Sequence, residues 1–216
     1  MTKAQRHYSS LDQLCLTVDA AMRAIHGTVA TTGRPYPAAK EPEADLDKKE
    51  KKHIAGLMRV NQAGEVSAQG LYHGQGLATR DPQIKQHLQT AAIEEGDHLA
   101  WCNQRLAELH SQSSVLNPVW YMGSFLLGLL AGTIGDKYSL GFVAETETQV
   151  VKHLQKHLQM LPEKDEKSAK ILRQMQADEA GHHDAALEAG AATLPSWAKS
   201  LMRLTSKIMV KTAYWI

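Results

Sequence analysis

Four glutamates and two histidines recur in a fixed order: Glu65, then Glu95 with His98, then Glu147, then Glu179 with His182. The order is Glu followed by Glu-x-x-His, written twice. Glu65 and Glu95 are 30 residues apart and Glu147 and Glu179 are 32 apart, room for most of one helix, a short turn and part of the next. In a helix, positions three apart share a face, so each Glu-x-x-His offers a carboxylate oxygen and an imidazole nitrogen to one ion. The two lone glutamates, from partner helices, then bridge or complete a two-metal centre.

Helical phase decides between this reading and ordinary solvated side chains. Ile84, Leu88, Ala91, Glu95, Cys102, Leu106 and Leu109 form one stripe, with His98 beside it. Ile54, Leu57, Asn61, Glu65, Ala68 and Tyr72 form a second, Val143, Glu147, Val150, Leu154, Leu158 and Leu161 a third, and Leu172, Met175, Glu179, His182 and Ala186 a fourth. All four glutamates therefore point where a core residue points. Glu94 and Glu145 fall on other faces. Burying four carboxylates without compensation costs several kcal/mol or more, roughly per ion. No Lys or Arg interrupts the stripes, whereas two divalent cations would balance the charge. Mixed carboxylate and imidazole ligands suit iron or manganese, and a structural zinc site would favour thiolates. Paired Glu-x-x-His motifs with two further glutamates are the ligand set of ferritin-like di-iron four-helix bundles.

The expected fold is all-α: a ferritin-like four-helix bundle with additional N-terminal and C-terminal helices. A length of 216 residues with 43% hydrophobic residues allows one domain with a full core, 1–216. Within it, residues 9–30 read as an amphipathic helix and residues 31–45, with Gly33, Pro35, Pro37 and Pro42, as a linker. Residues 46–190 read as the metal-binding bundle and residues 195–216 as an amphipathic helix. The bundle helices are expected at about 46–78, 82–110, 118–160 and 163–189, with prolines at nearly every boundary. Glycines at 64, 70, 74 and 76 weaken the first but permit close packing. The net charge of +1 suggests no nucleic-acid partner. Cys15 and Cys102 lack zinc or redox spacing and read as reduced core residues. The N-terminus carries Arg6 and His7 but no apolar run of a secretory signal.

Two stretches point to a membrane surface. Val119 to Ile134 is apolar and uncharged but short for a span, so it either packs inside the protein or dips into a bilayer face. In the last helix, Lys199, Arg203, Lys207 and Lys211 recur every four residues, with Trp197, Tyr214 and Trp215 near its ends, a pattern suited to anionic headgroups.

The stretch Arg59-Val60-Asn61-Gln62-Ala63-Gly64-Glu65, with Glu95-Gly96-Asp97-His98, Glu147 and Glu179-Ala180-Gly181-His182-His183-Asp184, resembles the demethoxyubiquinone hydroxylases, the di-iron monooxygenases of ubiquinone biosynthesis. The resemblance covers about residues 46–190, and the N-terminal helix and linker look like those of the bacterial branch. It implies two iron ions per chain at Glu65, Glu95, His98, Glu147, Glu179 and His182. It also implies O2 as co-substrate and hydroxylation of a polyprenyl 3-methyl-6-methoxy-1,4-benzoquinol. His153 matches a family histidine with a catalytic role near the metal, while Leu154 departs from the tyrosine of animal members. The implied partners are a membrane-embedded prenylated quinone, the peripheral membrane surface and other ubiquinone-biosynthesis proteins, with the chain on the cytoplasmic face of the bacterial inner membrane. The reductant is NADH, a reductase or the quinol itself, and no Rossmann glycine pattern marks a built-in nicotinamide domain. Two other classes share the core pattern: a ferritin-like iron-oxidation or storage protein, which needs a soluble, cage-forming exterior, and a non-enzymatic bundle with an acidic core.

Overall fold

The computed structural model describes residues 9–216, and the reading of Arg6 and His7 lies outside the described residues. Seven helices and no strand occur among them: α1 Ser10–Ile25, α2 Lys48–Ala78, α3 Pro82–Glu108, α4 Asn117–Ile134, α5 Asp136–Met160, α6 Glu166–Glu188 and α7 Ser196–Ala213. Local chemistry sets the boundaries. Asp47 caps α2 through the Lys49 and Glu50 amides, while Glu50 reaches back to the Asp47 amide. Asp81 caps α3 ahead of Pro82 in the first turn, and Asp165 caps α6.

Helices α2, α3, α5 and α6 form the bundle, as two helical hairpins, α2–α3 and α5–α6. Gln75 bonds the Ser139 carbonyl near the start of α5 and His53 bonds the Met160 carbonyl at its end, so α2 and α5 run antiparallel. The buried apolar residues fall into clusters on either side of one level of the bundle. One holds Ile54, Met58, Leu106, Leu154, Leu172 and Met175, and the other Tyr72, Leu88, Ala91, Val143 and Ala186. In each bundle helix the glutamate of interest lies in sequence between these two clusters. The expected carboxylate layer is therefore enclosed by hydrocarbon above and below.

The single helix expected over 118–160 is two helices. Gly135 adopts φ +139°, a conformation open to glycine and strained for other residues, and separates α4 from α5. This break lets α4 lie along α2 as an outer helix. Their approach is close because a Cβ at Gly70, Gly74 or Gly128 would run into the backbone at Tyr121, Phe125 or Leu71, respectively. The N-terminal helix ends at Ile25, earlier than the expected residue 30, and Gly27 turns the chain at φ +67°. The segment after it is a strap across α3 and α6. Arg34 bonds Asp97 and Asp178, Tyr36 bonds Glu108, and Glu43 pairs with the fully buried Arg105, which also binds Asp165 and Ser168. Cys102 is buried as expected, but Cys15 is exposed on α1 and is not a core residue.

The α2–α4 contact supplies a stability test. Gly74→Ala should destabilise the chain by about 1–3 kcal/mol, the usual range for overpacking, because backbone stands in the way on both sides of the new methyl. Gly76→Ala meets open space and should be neutral or stabilising by up to about 1 kcal/mol. Denaturant unfolding of the two variants measures the contrast, and equal midpoints would show that α4 can retreat from α2 at no cost.

Candidate metal centre

The six residues expected from the sequence lie in one layer of the bundle: Glu65 on α2, Glu95 and His98 on α3, Glu147 on α5, Glu179 and His182 on α6. Glu65, Glu95, His98, Glu147 and Glu179 are buried, at 4% exposure or less, and His182 is half-buried. Ligand atoms of Glu65, Glu95, His98 and Glu179 lie within 4.8 Å of one another, close enough to share an ion.

The geometry separates the carboxylates by role. His98 Nδ1 is 3.0 Å from Glu95 Oε2 and 3.2 Å from Glu179 Oε1. His182 Nδ1 is 3.1 Å from Glu95 Oε1 and 3.3 Å from Glu179 Oε2. Glu95 and Glu179 thus each present one oxygen to each imidazole and lie between the two histidines. Glu65 lies towards His98, at 3.8 Å. Glu147 accepts the Tyr72 hydroxyl at 2.8 Å. Of the two roles expected for the lone glutamates, bridging or completing the centre, this placement is compatible with completing it. The motif carboxylates sit on the seam where α3 faces α6, while Glu65 and Glu147 reach in from α2 and α5.

A cross-linked pair of carboxylates holds the imidazoles. Asp178, just before Glu179, binds His98 Nε2 at 2.9 Å, and Glu94, just before Glu95, binds His182 Nε2 at 2.7 Å. Each Glu-x-x-His unit therefore anchors the histidine of the other. Fixing Nε2 in this way turns Nδ1 towards the carboxylate layer and sets the tautomer that a metal-ligating histidine needs. Arg34 Nη1 binds the same Asp178 oxygen at 2.9 Å, and its Nε binds Asp97 at 2.8 Å. Glu94, Asp178, Arg34 and Tyr72 were not among the expected site residues. A signal was present for the first two, since an acidic residue precedes the glutamate of both motifs.

His153 is not drawn into the carboxylate layer. Its ring lies 3.9 Å from that of His157, centroid to centroid, on the same face of α5. Burial is the main reason that His153 is pushed down to about 4 and His157 to about 3, so both rings are neutral near pH 7.

Taken as protein groups alone, the cluster carries protons at neutral pH. Burial, then the neighbouring carboxylates, pushes Glu65 and Glu147 well above the usual carboxylate range. Burial also acts to raise Glu95, but the His182 and His98 hydrogen bonds outweigh it and hold Glu95 low. Burial opposes the charged form of both histidines, yet the facing carboxylates raise His98 well above its ordinary value and His182 to about 12. Charge is thus balanced by two imidazolium ions and protonated glutamates. No Lys or Arg ion-pairs with any of the four central glutamates among the described residues; the charges that balance them are imidazolium and proton, both exchangeable for a cation. The donor set fits two divalent ions held by oxygen and nitrogen.

A bundle of four helices with paired Glu-x-x-His units and two inward glutamates defines the class of carboxylate-bridged two-metal proteins. A profile of the family described as "Ubiquinone biosynthesis protein COQ7" matches residues 52–213. The 3-demethoxyubiquinol 3-hydroxylase of Acinetobacter baumannii (strain ATCC 17978) is 53% identical over 211 residues, 98% of this chain and 100% of that protein. The proteins of the same name from Pseudomonas putida (strain GB-1) and Acinetobacter baylyi are 51% and 52% identical, again over 98% of this chain and at least 99% of theirs. The chain belongs to the COQ7 family.

Glu95→Ala or Glu179→Ala removes a carboxylate shared by both imidazoles and should abolish iron binding and activity together. Asp178→Asn or Glu94→Ala should lower iron affinity by about 10–100-fold without abolishing it, since each acts through a histidine. Iron titration of the four variants ranks them, and full affinity in Glu94→Ala would show that His182 needs no anchor. Because the raised groups must lose their protons to bind a cation, metal binding should release protons and affinity should rise with pH. Calorimetry in buffers of different ionisation enthalpy measures that release near pH 7, and zero net release would contradict the protonated cluster.

Proposed function

We propose that this chain is a 3-demethoxyubiquinol 3-hydroxylase, a di-iron monooxygenase that hydroxylates a polyprenyl 3-methyl-6-methoxy-1,4-benzoquinol. The reading is carried by the two cross-linked Glu-x-x-His units with Glu65 and Glu147 closing the layer, and it is supported by the near full-length similarity to hydroxylases of that name. Two bound iron ions would supply O2 activation and insertion of one oxygen atom into the quinol ring, the other leaving as water.

The chain's own residues make the remaining contributions. With iron bound in the centre, Glu95 and Glu179 would hold it together with His98 and His182, each carboxylate facing both imidazoles. Glu65 and Glu147 complete its ends, with Tyr72 donating a hydrogen bond that fixes the Glu147 carboxylate. The two apolar clusters exclude water from the layer, which strengthens every electrostatic contact within it. His153 lies about two turns along α5 from Glu147, and its ring, kept neutral by burial beside neutral His157, suits orienting a neighbouring group by a hydrogen bond rather than carrying a proton at neutral pH. The reductant, NADH, a reductase or the quinol, acts from outside this layer.

Access to a lipid-soluble substrate follows from the outer helices. No helix among the described residues is long and apolar enough to cross a membrane. Helix α4 nevertheless exposes Val119, Met122, Leu126, Leu130 and Ile134. Beside it α1 exposes Leu11, Leu14 and Val18, and α7 exposes Trp197, Leu201, Leu204 and Ile208. A run of exposed apolar residues this long is costly in water and suits peripheral seating on a bilayer. Of the four basic residues of α7, Lys199 is paired with Glu145 at 2.9 Å, which leaves Arg203, Lys207 and Lys211 for anionic headgroups, on the cytoplasmic face in this reading.

Anaerobic loading with ferrous iron, then labelled O2 and a short-chain demethoxyquinol, tests the reaction. One labelled atom should enter the ring. Iron oxidation with no hydroxylated product would instead favour the iron-oxidation or storage reading. In vesicles, Leu126→Ser with Leu130→Ser should lower turnover of a long-chain substrate several-fold and spare the short soluble one. Equal loss on both would remove the membrane role of α4.

A further inference from the structure

A cavity of about 380 Å³ lies between the start of α2, the end of α3 and the end of α7, within the range of small-molecule sites. Lys48, Lys51, Lys52, Ala55 and Arg59 line it from one stripe of α2, and His110, Tyr214 and Trp215 from the other side. The spacing puts all five α2 residues on one face. Four fixed positive charges converge here and no Asp or Glu lines the space.

This concentration is unlike the cations around it. Lys164 pairs with Glu50, Lys170 with Glu41, and Lys167 with both Glu43 and Glu108. Arg34 and Arg105 are both raised by facing carboxylates. Arg59 is different: it donates to the carbonyls of Gln112 and Tyr214 and to the Ser111 hydroxyl, all neutral acceptors, and burial lowers its pKa. Those three bonds leave two of the five guanidinium N–H groups unused. They also fix the guanidinium in place, so the remaining donors are held ready. Among the described residues no Asp or Glu ion-pairs with Lys48, Lys51, Lys52 or Arg59. Lys52 Nζ sits 5.8 Å over the Trp215 ring at the rim, adding an aromatic face next to the charge.

We propose that this cavity binds a phosphate-bearing ligand, with Lys48, Lys51, Lys52 and Arg59 taking the phosphate oxygens and Trp215 covering the adjoining organic part. A phosphate group offers several acceptor oxygens and at least one negative charge, matching clustered ammonium donors and a preset guanidinium. The cavity is separate from the carboxylate layer, since it is lined by none of the six central residues. The same phosphate chemistry can come from a soluble nucleotide or from a lipid headgroup.

Calorimetry on the iron-loaded full chain tests it with three probes in free solution: inorganic pyrophosphate, ADP and monomeric dihexanoyl-phosphatidylglycerol. At least one should bind saturably, ADP with pyrophosphate marking a soluble ligand and the short lipid alone marking a headgroup. Lys51→Gln with Lys52→Gln should weaken that binding at least about tenfold, the loss expected for charge-assisted hydrogen bonds. Lys152→Gln with Lys156→Gln removes the same charge from exposed α5 positions and should leave it unchanged. Circular dichroism checks that both variants are folded. Binding of none of the three probes overturns the proposal, as does equal weakening in the two double variants, which would reduce the effect to net charge.

Discussion

Four carboxylates buried at one level of a helical bundle cannot all be ionised without opposite charge nearby. Much of the structure is arranged around that constraint. Two imidazoles enter the same layer and each is shared between Glu95 and Glu179. Protons on Glu65 and Glu147 remove further charge. These are compensations that a divalent cation can displace, because an imidazolium can become a neutral ligand and a carboxylic acid a carboxylate. A lysine or arginine in the layer would have balanced the charge permanently and blocked the ions. On either side of that layer, Ile54, Met58 and Leu154 and, opposite, Leu88, Val143 and Ala186 supply apolar burial that keeps the bundle closed.

The inward-facing glutamates were legible because helical phase is a local property. Glu65, Glu95, Glu147 and Glu179 replace apolar residues at positions where the stripe demands one, and no tertiary knowledge is needed to see it. The same local rule excluded Glu94, which is 39% exposed along its side chain and sits off the stripe. Its role comes from the register of α3 against α6, which brings the residue before one motif to the histidine of the other. Register between helices distant in sequence is not encoded in the phase of either helix. The sharing of Glu95 and Glu179 between both imidazoles was hidden for the same reason. The break between α4 and α5 was hidden differently: the 119–134 run and the Glu147 stripe are both good helices, and only the backbone at Gly135 shows that their axes diverge.

The outer helices also divide what sequence can show from what it cannot. The apolar character of 119–134 and the basic repeat of α7 are visible directly. Which side of α4 faces the bundle is decided by Gly70, Gly74 and Gly128, whose missing side chains let the two backbones approach. That choice buries Tyr121, Gly128, Ala131 and Gly132 and leaves Val119, Met122, Leu126 and Leu130 outside. Each exposed side chain of that size forgoes the gain of leaving water. That exposed row is the observation behind the proposal that α4 faces an apolar phase. Lys199 shows the limit of periodicity on α7: it keeps the four-residue spacing of its neighbours but is committed to Glu145 across the α5 surface.

The strap between α1 and α2 ties the remaining parts together. Prolines mark it as a linker, and a linker ordinarily contributes little beyond connection. Here Arg34 bridges Asp97 and Asp178, and Asp178 in turn holds His98 Nε2. The guanidinium also lies over the Trp101 ring, 5.0 Å from its centroid, which restricts the directions in which it can move. A second arginine, Arg105, about two turns beyond Asp97 on α3, pins the same strap through Glu43, where Asp165 and Ser168 of the α5–α6 hairpin join it. The α3–α6 seam, across which the two halves of the centre exchange their anchors, is therefore clamped from outside by a segment without regular structure. The two ends of the seam differ in this respect. His98 is fixed through Asp178 and Arg34, whereas His182 is fixed through Glu94, for which no cation partner is found among the described residues. The pseudo-symmetric motifs thus produce two unequal sites. The lone glutamates differ in the opposite sense: Glu147 accepts the Tyr72 hydroxyl at 2.8 Å, while Glu65 comes no closer to His98 than 3.8 Å.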